Sequence, residues 1–179
     1  ENISLEYVFG ESVIQKTFDD TWKVKKVQDC PLIAPVGFLD SPEECLQEEM
    51  EINFEELDGH LWIVGSPGSG KAMTLETILL SLALTHTPEE ASFYILEYGA
   101  GQLLKFNKLP HTGAVIRSTD SEEILDKLLD YLDNEMDHRT KLRGEGDIAA
   151  STKPALFLVI NNFAEMRTNY PDHADRISR

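Results

Sequence analysis

Eight residues, Gly65-Ser66-Pro67-Gly68-Ser69-Gly70-Lys71-Ala72, constrain the fold of this chain more than any other stretch. Glycines at the first and sixth positions let consecutive backbone N–H groups curl around an anion, and the lysine that follows can reach the β and γ phosphates of a nucleotide. The flanks agree: residues 61–64, all apolar, predict a short strand, and Met73, Ile78, Leu79, Leu82 and Ala83 place apolar groups along a helix. Strand, glycine-rich turn and helix in that order is the setting a phosphate-binding loop requires, and it predicts an α/β fold with the ligand at the helix N-terminus. The nucleotide-binding candidates are Gly65, Ser66, Pro67, Gly68, Ser69, Gly70, Lys71, Ala72 and Met73.

The metal half of such a site is missing. The eighth position normally carries a Ser or Thr hydroxyl that ligates Mg2+, and here it is Ala72. Thr74 is no substitute, because a helix turns about 100° per residue and position 74 points about 200° away from position 72. The second metal ligand, and often a neighbouring acid that polarises water, should close an apolar strand. The matching run is ALFLVINNFAEM: residues 155–160 read as a buried strand that ends in Asn161 and Asn162. An asparagine carbonyl can touch a cation or orient water, but it carries no charge and accepts no proton at neutral pH. Hydroxyl, carboxylate and base are all replaced, so no catalytic residue and no complete Mg2+ site is expected. Glu97, which closes SFYILE, and Glu165 are the acids nearby in sequence; each reads first as an ordinary polar residue.

The order VGFLDSPEECLQEEMEINFEELDGHLWIVGSPGSGK, then FYILEYGAGQLLKFNKLPHTGAVI, then a long helix and LFLVINNF resembles an ATPase domain of the FtsK/SpoIIIE group. The resemblance is strongest to the tandem ATPase domains of type VII secretion motors, the EssC/EccC branch. It covers nearly the whole chain, and EYGAG and LPHTGAVI are its most specific pieces beyond the loop. It implies a RecA-like P-loop NTPase fold with a mainly parallel sheet, preceded by an N-terminal β extension. In that fold a strand following the Asn161 position lies between the loop strand and the 155–160 strand. The polar tail RTNYPDHADRISR is no such strand, so the chain is expected to be truncated at its C-terminus.

The resemblance further implies a place on the cytoplasmic face of a bacterial membrane, attached only through regions outside this chain. Its implied partners are neighbouring ATPase domains of the same polypeptide and small helical-hairpin secretion substrates. Ala72, Asn161 and Asn162 depart from the active members, which implies a degenerate copy that holds ATP or ADP weakly and serves assembly, regulation or substrate docking. Two other readings stand beside it: an active ATPase using Glu97 or an acid from a neighbouring domain, and an acidic relative of the DNA translocases.

Charge bears on the last of these. With 16 Lys and Arg against 32 Asp and Glu, the net charge is −16, whereas affinity for a nucleic-acid backbone comes from basic residues that displace counterions. Residues 40–58 hold nine acids and no base, and residues 120–137 hold eight acids and one lysine. Such runs read as solvated faces, and no nucleic-acid partner is expected. At 41% hydrophobic and 27% charged the chain reads as globular, Cys30 and Cys45 as ordinary thiols, and no apolar run approaches the length of a membrane helix.

Residues 1–35 read as an N-terminal β segment, with strands in ISLEYVF and TWKVKKV and breaks at Pro31 and Pro35; residues 36–179 read as the P-loop domain. Within it VGFLD and EINFEEL predict strands that can form a β-hairpin, followed by strands at FYILEY and GAVIRS with GAGQLL as a turn between them. Ser121 is the expected cap of a helix whose apolar face is Ile124, Leu125, Leu128, Leu129, Leu132 and Met136. RGEGDIAASTKP reads as a loop, and His60 and His111 as structural histidines.

Overall fold

A computed structural model of the chain describes residues 32–43, 46–55, 60–146 and 154–178. The two strands expected before residue 31, both cysteines and most of the 143–154 loop lie outside the described residues. The chain divides into two compact units, Glu1–Thr87 and Pro88–Arg179.

In the first unit, β1 (Ile33–Ser41) and β2 (Leu46–Asn53) form an antiparallel ribbon, and α1 (Lys71–Thr85) follows the glycine-rich loop. The hairpin is the one expected, but β2 begins at Leu46, inside the acidic run. Pro35 does not break the chain: it lies within β1 next to a register shift between Pro35 and Gly37, and a bulge on a ribbon edge tolerates the missing N–H. Strand β1 therefore starts at Ile33 and crosses the boundary drawn at residue 36. Beside α1, β1 buries Ala34, while α1 buries Ile78, Leu79, Leu82 and Ala83. Met73, one of the apolar positions read along this helix, is 69% exposed.

Residues 61–64 are apolar as a strand should be, yet residues 60–66 carry no regular structure. A strand exists by virtue of the ladder it joins, and no described segment pairs with these residues.

The second unit is built on a parallel sheet of order β4-β3-β5, with β3 (Ala91–Glu97) central, β4 (Thr112–Arg117) and β5 (Ala155–Asn161). Central position explains composition: β3 buries Phe93, Ile95 and Leu96 across both faces, as parallel strands covered on each side do. The only ladder β5 makes among the described residues is to β3, and its apolar side chains are half-buried. The segment after β3, expected as a turn through residue 104, tightens into a 3-10 helix (Gln102–Lys108) that buries Leu103 and Phe106.

Helix α2 (Glu122–Gly144) lays Leu125, Leu128 and Leu129 on Leu96, Tyr98, Ile116 and Met166 in one apolar cluster. Ile124 and Met136 fall off that face and are exposed, so the buried stripe is narrower than expected. Ser121 stands at the N-cap as predicted, but its side chain makes no capping bond.

The polar tail forms two short helices, α3 (Phe163–Asn169) and α4 (Pro171–Ile177). His173 and Arg176 of α4 meet the acidic run of α2: His173 Nε2 lies 2.8 Å from Asp126, and Arg176 donates to Asp130 at 2.8 Å and to Asp133. Part of the charge that read as a solvated face thus docks α4 on α2. The loss of a long side chain's freedom limits what each pair contributes.

Candidate functional site

The site candidates fall in both units, and each half has its own geometry. In the first, residues 67–70 turn the chain into α1. Gly70 is the N-cap at φ 91°, ψ 6°, a left-handed conformation that side-chain-bearing residues rarely adopt. The Lys71 ammonium donates to the carbonyls of Gly65 (2.9 Å) and Ser66 (2.8 Å), folding the loop back on itself. A phosphate adds charge–charge attraction that these neutral carbonyls lack, so an anion competes well for the lysine. Gly65 through Ser69 are exposed, and the first turn of a 15-residue helix leaves N–H donors without partners within the helix.

These groups fit a phosphate. They do not fit a metal: Ala72 ends in a methyl group, and the Thr74 hydroxyl donates back to the Gly70 carbonyl at 3.3 Å, engaged within its own helix.

In the second unit, β3 and β5 run in parallel with Glu97 directly opposite Asn161. Glu97 is 2% exposed, and its carboxylate accepts three N–H bonds. Oε1 takes the backbone N–H of Gly99 (2.7 Å) and the Asn161 amide (2.9 Å), and Oε2 takes the backbone N–H of Leu103 (2.9 Å). A buried charge is tolerated only when it is bonded in this way. Because an ionised carboxylate only accepts, the Asn161 nitrogen must face it.

Asn162 is the only non-glycine with positive φ among the described residues, at φ 66°, ψ 61°. Asparagine is among the few residues that visit this region readily. Its amide donates to the Tyr98 carbonyl at 3.2 Å, while the Asn161 carbonyl accepts from Tyr98 N–H at 3.1 Å. Both asparagines therefore pin the end of β5 to the end of β3, each committing one N–H of its side-chain amide to that join.

The remaining candidates have settings of their own. Glu165 is an exposed residue in the first turn of α3 that accepts from Asn169 at 3.4 Å. His60 is exposed, and His111 is buried and stacked on Phe93 with centroids 5.8 Å apart. No group of three or more His, Cys, Asp or Glu side chains among the described residues could hold a metal. Sequence reading weighed Glu97 as an ordinary polar residue and missed its role as a hub. A signal was present: SFYILE and LFLVIN are two apolar runs that each end in one polar residue, as adjacent parallel strands with matched ends would.

Comparison with known proteins places this geometry in a lineage. The relative named ESX secretion system protein EccC, from Thermomonospora curvata, is 32% identical over 83% of this chain and 12% of its own length. Type VII secretion system protein EssC of Staphylococcus aureus is 27% identical over 88% of this chain and 11% of its own. Among solved structures, EssC (ATPases 2 and 3) from Geobacillus thermodenitrificans superposes with a TM-score of 0.72 at 29% identity, covering 80% of this chain and 29% of that one. Thermomonospora curvata EccC (ATPases 2 and 3) in complex with a signal sequence peptide gives 0.66 at 32% identity, over 82% and 29%. The chain thus spans about an eighth of the length of these relatives and shares the α/β fold of their ATPase domains. A family model described as FtsK/SpoIIIE matches residues 18–152, and the chain belongs to the FtsK/SpoIIIE family.

Proposed function

We propose that this chain is a degenerate nucleotide-binding module of a type VII secretion motor, a pseudo-ATPase that contributes to assembly, regulation or substrate docking. The observation that carries the reading is the state of the β3 and β5 ends. Where hydrolysis needs a carboxylate free to hold Mg2+ through its ligands, Asn161 is neutral and its amide is bonded to Glu97. Glu97 itself holds three N–H donors, which counts against the rival in which it replaces the missing acid.

Residues 65–73 would bind ATP or ADP through backbone N–H groups and Lys71, with no Mg2+ bridge. When bound, the nucleotide supplies charge that Lys71 and the start of α1 neutralise. The partners proposed are the neighbouring ATPase domains of the same polypeptide and a secretion substrate. The EssC and EccC neighbours carry two ATPase domains each, and one was solved with a signal sequence peptide. The net charge of −16 disfavours the DNA-translocase reading. No helix among the described residues is long and apolar enough to cross a membrane, so attachment at the cytoplasmic face would come from other parts of the polypeptide.

Two measurements on the purified chain test this. Calorimetric titration with ADP and ATP is expected to give weak binding that changes little when EDTA replaces Mg2+ and is lost in Lys71→Ala. Phosphate release is expected to stay at background. Metal-dependent turnover that disappears in Lys71→Ala would overturn the proposal.

A further inference from the structure

The β1–β2 ribbon carries a face with no role in the site just described. At its base Ala34 is fully buried opposite Ile52, where β1 lies against α1. Strand β2 alternates regularly, so Met50, Glu48 and Leu46 continue the face of Ile52. On β1 the parity should have put Phe38 and Asp40 there. Instead the bulge inserts Val36 as one extra residue, and Gly37, Leu39 and Ser41 pair with Met50, Glu48 and Leu46.

The bulge therefore keeps an apolar face running along the ribbon beyond its buried base. Leu39, Leu46 and Met50 are each about half exposed there, at 56%, 49% and 52%. A Cβ at Gly37, which pairs with Met50, would meet nothing within 4 Å, so the face is open there. A two-stranded ribbon is marginal alone in water, and exposing leucines at its far end adds to the cost.

We infer that this face is a docking surface for a basic amphipathic helix of a partner protein. The helical form follows from continuity: the same ribbon already has a helix, α1, beside its base, and a second helix would extend that layer over the next two turns of ribbon. The charge follows from the acids on and beside this face. Glu48 on the face and Glu43 at the turn are exposed, Asp40, Glu49 and Glu51 being on the ribbon's other face, and residues 32–55 include no Lys or Arg. Glu48 lies within the apolar face itself, opposite Leu39, so a lysine or arginine beside the partner's apolar stripe would pair with it. The same charge repels an anionic lipid surface, nucleic acid and a second copy of this acidic chain. The recognition mode is an apolar helical stripe laid on a complementary face, with charges setting register.

The test uses the intact 179-residue chain and a synthetic, fluorescein-labelled peptide of about 18 residues, leucines at i, i+3, i+4 and i+7 and lysines elsewhere. Fluorescence anisotropy should show saturable binding. Leu39→Ser with Met50→Ser should weaken it at least about tenfold, and Glu48→Lys should weaken it by a similar factor and reduce its salt dependence. Asp137→Lys, an equal charge change on the exposed surface of α2, should alter binding less than about twofold. Circular dichroism melts confirm that each variant folds. Absence of saturable binding, wild-type affinity in the serine variant, or an equal loss in Asp137→Lys would each overturn the inference.

Discussion

Asn161→Asp puts a carboxyl at the end of β5, and the structure predicts that it harms this chain. The Asn161 amide nitrogen sits 2.9 Å from Glu97 Oε1, and both residues are buried. The substitution removes a hydrogen bond to a charged group, about 1.5–3 kcal/mol. It also sets a second negative charge about 4 Å from the first, about 4 kcal/mol at an effective dielectric constant of about 20. Protonation limits the damage. Holding the new carboxyl neutral at pH 7 costs about 4 kcal/mol, some three units above its ordinary pKa at 1.36 kcal/mol each, and the neutral acid can donate to Glu97. The loss expected is therefore about 4 kcal/mol at pH 7.

The new group's folded pKa lies above its unfolded value, so the unfolded state releases its proton first as pH rises. The variant is close to wild type near pH 4, within about 1 kcal/mol, and falls behind progressively towards pH 7. Urea unfolding of both proteins followed by circular dichroism at pH 4, 5.5 and 7 measures this directly. Adding Glu97→Gln should recover most of the loss at pH 7, because one charge then remains. A loss that is the same at pH 4 and pH 7, or below about 1 kcal/mol at pH 7, would refute the reasoning.

Gly99→Ala should destabilise by about 1–3 kcal/mol in the same assay, since its Cβ would lie 2.5 Å from Asn161 Nδ2 and 2.9 Å from Glu97 Oε1. Asn162→Ala should cost about 1–2 kcal/mol at its φ of 66°, and Asn162→Gly should recover the backbone part of that cost. Burial, then Tyr170, Asp120 and Glu122, pushes the Tyr98 hydroxyl up to about 12. Wild type should accordingly lose stability between about pH 10 and 12, while Tyr98→Phe lacks that component; matching pH profiles for the two would count against it.

Much of this fold is legible in residues that act locally. Gly70 and Lys71 define the turn into α1 whatever surrounds them, because positive φ and a positioned ammonium are properties of the residues themselves. The apolar runs of β3, β4 and β5 announce a parallel sheet, and the methyl group of Ala72 and the neutral amide of Asn161 are plain from the sequence alone. Residues 61–64 show where such reading fails: they are as apolar as β5, but a strand is defined by a hydrogen-bonded neighbour. Glu97 makes the same point at the site. Its sequence neighbours say only that it ends a strand, whereas its role comes from Gly99, Leu103 and Asn161, the last 64 residues away. The tail is similar, since the partners of His173 and Arg176 lie on α2. Periodicity and turn chemistry are written in neighbouring residues, so sequence determined them. Which buried charge meets which donor is a long-range electrostatic and steric match, and only the assembled structure decides it.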